Sequence, residues 1–170
     1  MKIGFFGAGK MAEGILSAIE DKKVVVMAEK VAERAADLTR KYGVATTADV
    51  KEVAKKAKFV FLAVRPQDVD AVAAEVKPLL TEKHTIVSIV AGKTLAKLKK
   101  AFGAKVNLVR VMPNLALRAN AGMCAICAAA KTPAKDVRLV EKILGAETVD
   151  RGYVSVETEL SAIGAGIIRK

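Results

Sequence analysis

The chain has 170 residues, 52% of them hydrophobic and 28% charged, with a formal net charge of +11 at pH 7. That much apolar material excludes a disordered or low-complexity chain, and two cysteines cannot build a disulfide scaffold or a four-cysteine zinc site. No apolar run approaches the ~18 residues that span a bilayer, and the N-terminus lacks the long apolar stretch of a signal peptide, so a cytoplasmic protein without a membrane partner is expected.

In chain order, Lys2–Phe6 is a short apolar run ending at glycine, which predicts a buried strand. Met11, Ile15, Leu16 and Ile19 recur at helical spacing to about Glu20, and Val24–Ala28 predicts a second strand. Val31–Lys41 reads as a helix closed by Gly43, and Thr47–Lys56 as a third helix capped by Thr46 or Thr47. Phe59–Val64 contains no polar residue, as suits a strand covered on both faces. Pro66 suits the first turn of a helix running to about Val76. Thr85–Val90 and Val106–Val111 are further strands, with a helix at Leu95–Phe102 between them. Beyond Pro113 come a small-residue strand at Gly122–Ala130, a helix at Pro133–Leu144 and a short strand at Glu147–Val149. Alternating strands and helices with short links predict an α/β fold wound around a mostly parallel sheet, with helices on both faces.

Gly7-Ala8-Gly9-Lys10-Met11-Ala12 fits G-x-G-x-x-A, directly after a predicted strand and opening a predicted helix. In that context the first glycine permits a tight turn and the second admits a pyrophosphate to the backbone. Ala12 keeps the helix close to the sheet, and the helix N-terminus offers its amides to the phosphates. This is the pattern of a Rossmann-type dinucleotide site. Glu29 lies at the end of the second predicted strand, where an acidic side chain accepts from the adenosine ribose and repels a 2′-phosphate. Lys30 beside it, or Arg34 one turn on, could pair with that phosphate, so charge alone leaves NAD(H) and NADP(H) both open.

The loops at the ends of the later strands read Ala63-Val64-Arg65-Pro66-Gln67, Val87-Ser88-Ile89-Val90-Ala91-Gly92 and Arg110-Val111-Met112-Pro113-Asn114. With Gly7–Glu13 this series resembles the pyrroline-5-carboxylate reductase family, in which GAGxMAE, AVKPQ, VSxxAG and RxMPN follow in the same order. The resemblance covers about residues 1–150. It implies NAD(P)H-dependent reduction of 1-pyrroline-5-carboxylate to proline, the last step of proline synthesis, with NADP(H) the more usual cofactor. It also implies that Gly7–Ala12 hold the pyrophosphate and that Ala63, Val64, Arg65 and Pro66 line the nicotinamide-side ribose, Arg65 standing where the family more often has Lys. Val90, Ala91 and Gly92 would pass beneath the nicotinamide, and Met112, Pro113 and Asn114 would border the substrate. A catalytic proton donor is not evident, because the family's helical dimerisation domain is represented only by a stub. The expected organisation is a cofactor domain over 1–152 and the start of a helical segment over 153–170. The apolar tail positions Leu160, Ile163, Ile167 and Ile168 suggest a homo-oligomer formed through that segment. Nucleotide binding with little turnover is expected of the chain alone.

Other features carry less. Cys124-Ala125-Ile126-Cys127 lies in a predicted strand, where i and i+3 face opposite ways, so it is read as structural rather than redox-active. His84, the one histidine, is read as a surface loop residue. No cluster suggests a metal or a hydrolytic triad. Nucleic acid is not expected as a partner, since the basic residues are dispersed and aromatics are 4% of the chain. The competing readings are a non-catalytic nucleotide-binding module, a basic polyanion-binding protein, and a related β-hydroxyacid or cofactor reductase with the same first domain.

Overall fold

The computed structural model describes residues 1–113 and 124–144. Asn114, the strand expected at Glu147–Val149, the boundary near residue 152 and the tail from Leu160 lie outside the described residues. β1 (Ile3–Phe6) leads into α1 (Lys10–Ala18), β2 (Val25–Ala28) and α2 (Ala32–Tyr42). β3 (Ala45–Thr47), α3 (Val50–Lys56), β4 (Phe59–Leu62) and α4 (Val69–Val76) follow. β5 (Thr85–Ser88), α5 (Leu95–Phe102), β6 (Asn107–Pro113), β7 (Cys124–Ala128) and α6 (Ala134–Leu144) complete the described chain. The sheet order is β3-β2-β1-β4-β5-β6-β7. Among the described strands, only the β6–β7 pairing is antiparallel. This is the Rossmann-type, doubly wound arrangement.

Strand composition explains the layering. β1, β2, β4 and β5 are buried at every position, as parallel strands covered on both faces must be. Alternate residues divide between two cores. Phe5, Met27, Phe61, Val87 and Val109 pack with Ile15 and Leu16 of α1, Leu38 of α2 and Val140 of α6. Phe6, Val26, Val60, Leu62, Ile86 and Leu108 pack with Val53 of α3, Val72 of α4 and Phe102 of α5. Phe5 and Phe61 stack at 5.0 Å between ring centroids, across the pairing where the strand order reverses.

Two sequence expectations are corrected. The helix expected from Thr47 begins later: Thr47 ends the edge strand β3, and Asp49 caps α3 by accepting from the Lys51 N–H at 2.8 Å. Three residues are too few to show a strand period, so Ala45-Thr46-Thr47 carries no strand signal until β2 supplies its partners. His84 is not a surface residue. It is fully buried, its Nδ1 accepting from the Thr81 N–H at 2.9 Å and its Nε2 lying 3.1 Å from the Ala54 carbonyl. The ring ties α3 to the turn before β5.

Burial pushes the His84 imidazole below its usual 6.5, and the nearby Lys58 ammonium acts in the same direction. A depressed folded-state pKa places the stabilisation above the unfolded value. The contribution of His84 should therefore be complete above pH 6.5 and be lost as pH falls through the lower folded value. Urea midpoints between pH 8 and pH 5 should show this fall in the native protein, and His84→Gln should flatten it. An unchanged slope in the variant would assign the fall to other groups.

Candidate cofactor-binding edge

Parallel register brings the sequence motifs to one edge. Phe6, Ala28, Leu62, Ser88 and Arg110 form a continuous row across the sheet. The chain leaves β1, β2, β4 and β5 just beyond it. At such an edge, where the strand order reverses, open α/β sheets bind their ligands.

The turn after β1 is shaped by its neighbours. The Gly7 N–H donates to the Ala28 carbonyl at 3.1 Å, and the Ala63 N–H donates to the Phe6 carbonyl at 2.8 Å, so both flanking strands hold the turn. Gly7 has φ +92°, and a Cβ there would lie 2.6 Å from the Ala63 carbonyl oxygen. Only glycine fits. Gly9 differs: its φ is −67°, and a Cβ would meet nothing within 4 Å. It caps α1 without a side-chain hydrogen bond, so the first-turn amides of Lys10, Met11 and Ala12 receive no acceptor from the capping residue. Lys10 is exposed and Met11 half-buried, while Ala8 and Ala12 are buried and seat the turn against the sheet.

Glu13, in the first turn of α1, is a buried hub that sequence reasoning passed over. Its carboxylate accepts from Lys41 Nζ at 2.8 Å, the Tyr42 hydroxyl at 2.9 Å and Arg34 Nη2 at 2.6 Å. Hydrogen bonds from Lys41 and Arg34, opposed by burial, hold the carboxyl at about 2, well below its usual 4.5. Arg34 also donates from Nε to the Ala8 carbonyl at 3.2 Å, which links α2 to the glycine turn. No periodicity marks Glu13, because it sits in a run buried from Ala12 to Leu16.

At the end of β2, the Glu29 N–H donates to the Thr47 carbonyl at 2.8 Å, and its Oε1 accepts from the Val31 N–H at 2.9 Å. Lys30 is exposed, and Val31 is a large apolar side chain left 59% exposed at the same turn. After β4, Ala63 and Val64 are half-buried, while Arg65 and Pro66 are exposed. The Arg65 guanidinium is turned onto Asp68, with Nε donating at 2.8 Å. After β5, Val90 is buried, its N–H donating to Ser88 Oγ at 3.3 Å, and Ala91 and Gly92 are exposed. Met112 is half-buried and packs near Cys127 of β7, and Pro113 ends β6. Arg110, one per cent exposed, is another residue the sequence reasoning did not single out. The described motif residues thus share one sheet edge, while the side chains of Arg34 and Arg65 are engaged within the chain. Cys127 is buried in β7. Among the described residues, no group of three or more His, Cys, Asp or Glu gathers as metal ligands, and no helix is long and apolar enough to cross a membrane.

Residues 2–92 match the family model described as NADP oxidoreductase, coenzyme F420-dependent. The chain is similar to pyrroline-5-carboxylate reductase 3 of Rattus norvegicus, at 31% identity over 98% of this chain and 64% of the relative. It is also similar to pyrroline-5-carboxylate reductase of Escherichia coli, at 32% identity over 74% of this chain and 48% of the relative. Among solved structures, a pyrroline-5-carboxylate reductase from Coxiella burnetii superposes with a TM-score of 0.87 at 26% identity, covering 96% of this chain and 62% of that one. The chain therefore spans less than two thirds of the length of these relatives.

Proposed function

This chain belongs to the pyrroline-5-carboxylate reductase family of nucleotide-dependent oxidoreductases, and from that premise we propose that it forms the cofactor-holding part of an enzyme reducing 1-pyrroline-5-carboxylate to proline with NAD(P)H. The observation that carries this reading is the open space over Gly9 at the uncapped start of α1, on the edge where the other motifs converge. A pyrophosphate needs that space and those amides, so the residues present fit a dinucleotide.

In this reading Gly7, Ala8 and Gly9 shape the cradle, and the amides of Lys10, Met11 and Ala12 receive the phosphates. Glu29 and Lys30 meet the adenosine ribose. Ala63, Val64, Arg65 and Pro66 border the second ribose, and Val90, Ala91 and Gly92 present a low backbone surface to the nicotinamide. Met112, Pro113 and Asn114 flank the substrate. When bound, the reduced nicotinamide supplies a hydride to the carbon of the protonated C=N bond. The protein's share is orientation and placement of charge.

Reduced-nicotinamide fluorescence should rise saturably when either dinucleotide is titrated into the purified chain. A fusion to the C-terminal helical domain of a relative should form proline from 1-pyrroline-5-carboxylate. Absence of saturable binding at millimolar nucleotide would overturn the cofactor reading. Oxidation of a β-hydroxyacid by the fusion, with no proline formed, would move the assignment to a related reductase.

A further inference from the structure

Resting on the dinucleotide reading above, we propose that the β2–α2 turn is built for a ribose with a free 2′-hydroxyl, so that this chain selects NADH over NADPH. Three observations meet at this turn. The first is the Glu29 carboxylate. One oxygen is fixed by the Val31 N–H at 2.9 Å, which leaves the other to accept from ribose hydroxyls at the end of β2. A fixed carboxylate at this place repels a 2′-phosphate, and it already occupies the amide that such a phosphate would seek at the start of α2.

The second is the commitment of Arg34. A guanidinium reads a phosphate best through two parallel donors. Here Nη2 is bound to Glu13 at 2.6 Å and Nε to the Ala8 carbonyl at 3.2 Å. Turning Arg34 toward a 2′-phosphate would break both bonds and strip the buried Glu13 of one of its cations. Arg34 is thus a positioning residue for the glycine turn. Lys30 is the cation that remains in sequence beside Glu29. It is exposed, and a solvated ammonium adjacent to a carboxylate offers a weak, screened attraction.

The third is Val31. Its apolar side chain, 59% exposed, stands immediately beyond Glu29 and offers an adenine ring a surface to pack on. In this proposal the adenine packs against that side chain and the ribose meets the Glu29 carboxylate.

The test is a pair of equilibrium titrations of the full chain with NADH and with NADPH in one buffer, repeated on Glu29→Gln and Arg34→Met. NADH should bind at least about tenfold tighter than NADPH. Glu29→Gln should weaken NADH and shrink that ratio about tenfold, because a charge-assisted acceptor is lost. Arg34→Met should weaken both nucleotides alike and leave the ratio within about twofold. Equal or tighter binding of NADPH by the native chain would overturn the proposal, as would an unchanged ratio in Glu29→Gln or a selective loss of NADPH in Arg34→Met. Failure of both nucleotides to bind the native chain would instead overturn the dinucleotide reading on which the proposal rests.

Discussion

Gly9→Ala should leave the fold nearly as stable as the native protein and weaken dinucleotide binding at least about tenfold, whereas Gly7→Ala should destabilise the fold itself. The two glycines stand two residues apart in one motif and are required for different reasons. At Gly9 the backbone is in a conformation any residue adopts, and an added methyl meets nothing within 4 Å. The stability cost is that of a poorer helix cap, less than about 1 kcal/mol. The methyl would fill the space that a pyrophosphate must enter, so the loss falls on binding. At Gly7 the φ of +92° is strained for an L side chain, and the methyl would stand 2.6 Å from the Ala63 carbonyl oxygen. That oxygen belongs to backbone held by the Phe6 pairing and cannot move aside cheaply. Strain of about 1–3 kcal/mol and a clash of similar size point to a loss of about 3 kcal/mol or more. Thermal unfolding and fluorescence titration of both variants check this. Equal stability of the two would show that the turn relaxes more readily than its contacts imply, and native-like binding by Gly9→Ala would remove the phosphate from that space.

Glu13→Gln should cost about 2–3 kcal/mol at pH 7 and should flatten the acid limb of the stability curve. The carboxyl is held at about 2 in the folded state against a usual 4.5. A depressed folded pKa gives stability that is complete above 4.5 and is lost as pH falls from there toward 2. At about 1.4 kcal/mol per unit the full difference would exceed 3 kcal/mol, and the solvent exposure of Lys41 brings the expectation down. The hub joins α1 to α2 and, through Arg34, to the Ala8 carbonyl of the glycine turn. The variant should therefore also weaken both dinucleotides. Urea denaturation of both proteins at steps from pH 7 to pH 2 provides the comparison. If the variant keeps the native acid slope, the clamp adds no net stability and the slope belongs to other carboxylates.

Composition and motif order alone fix the winding of this chain and the sheet edge at which its motifs gather. All-apolar runs such as Phe59–Leu62 can be satisfied only by burial on both faces, and their alternation with helices leaves few topologies other than a doubly wound sheet. The glycine turn was legible because its chemistry is local: a strand, two glycines, a small residue and a helix follow within ten positions. The later loops were legible only as a series, through resemblance, since no single one carries its own signal. The remaining features depend on partners distant in the chain. β3 became a strand because β2 offered its edge. His84 became a core residue because Ala54 and Thr81 close on its ring. Glu13 and Arg34 are separated by 21 residues, and only the packing of α2 beside α1 makes them a pair. That pair engages the Arg34 guanidinium within the chain, which no pattern of spacing could reveal. Periodicity reports which face of an element is buried. Which polar groups must find each other once buried is settled by the packing, because each desolvated charge has to be satisfied by whatever neighbour the fold supplies.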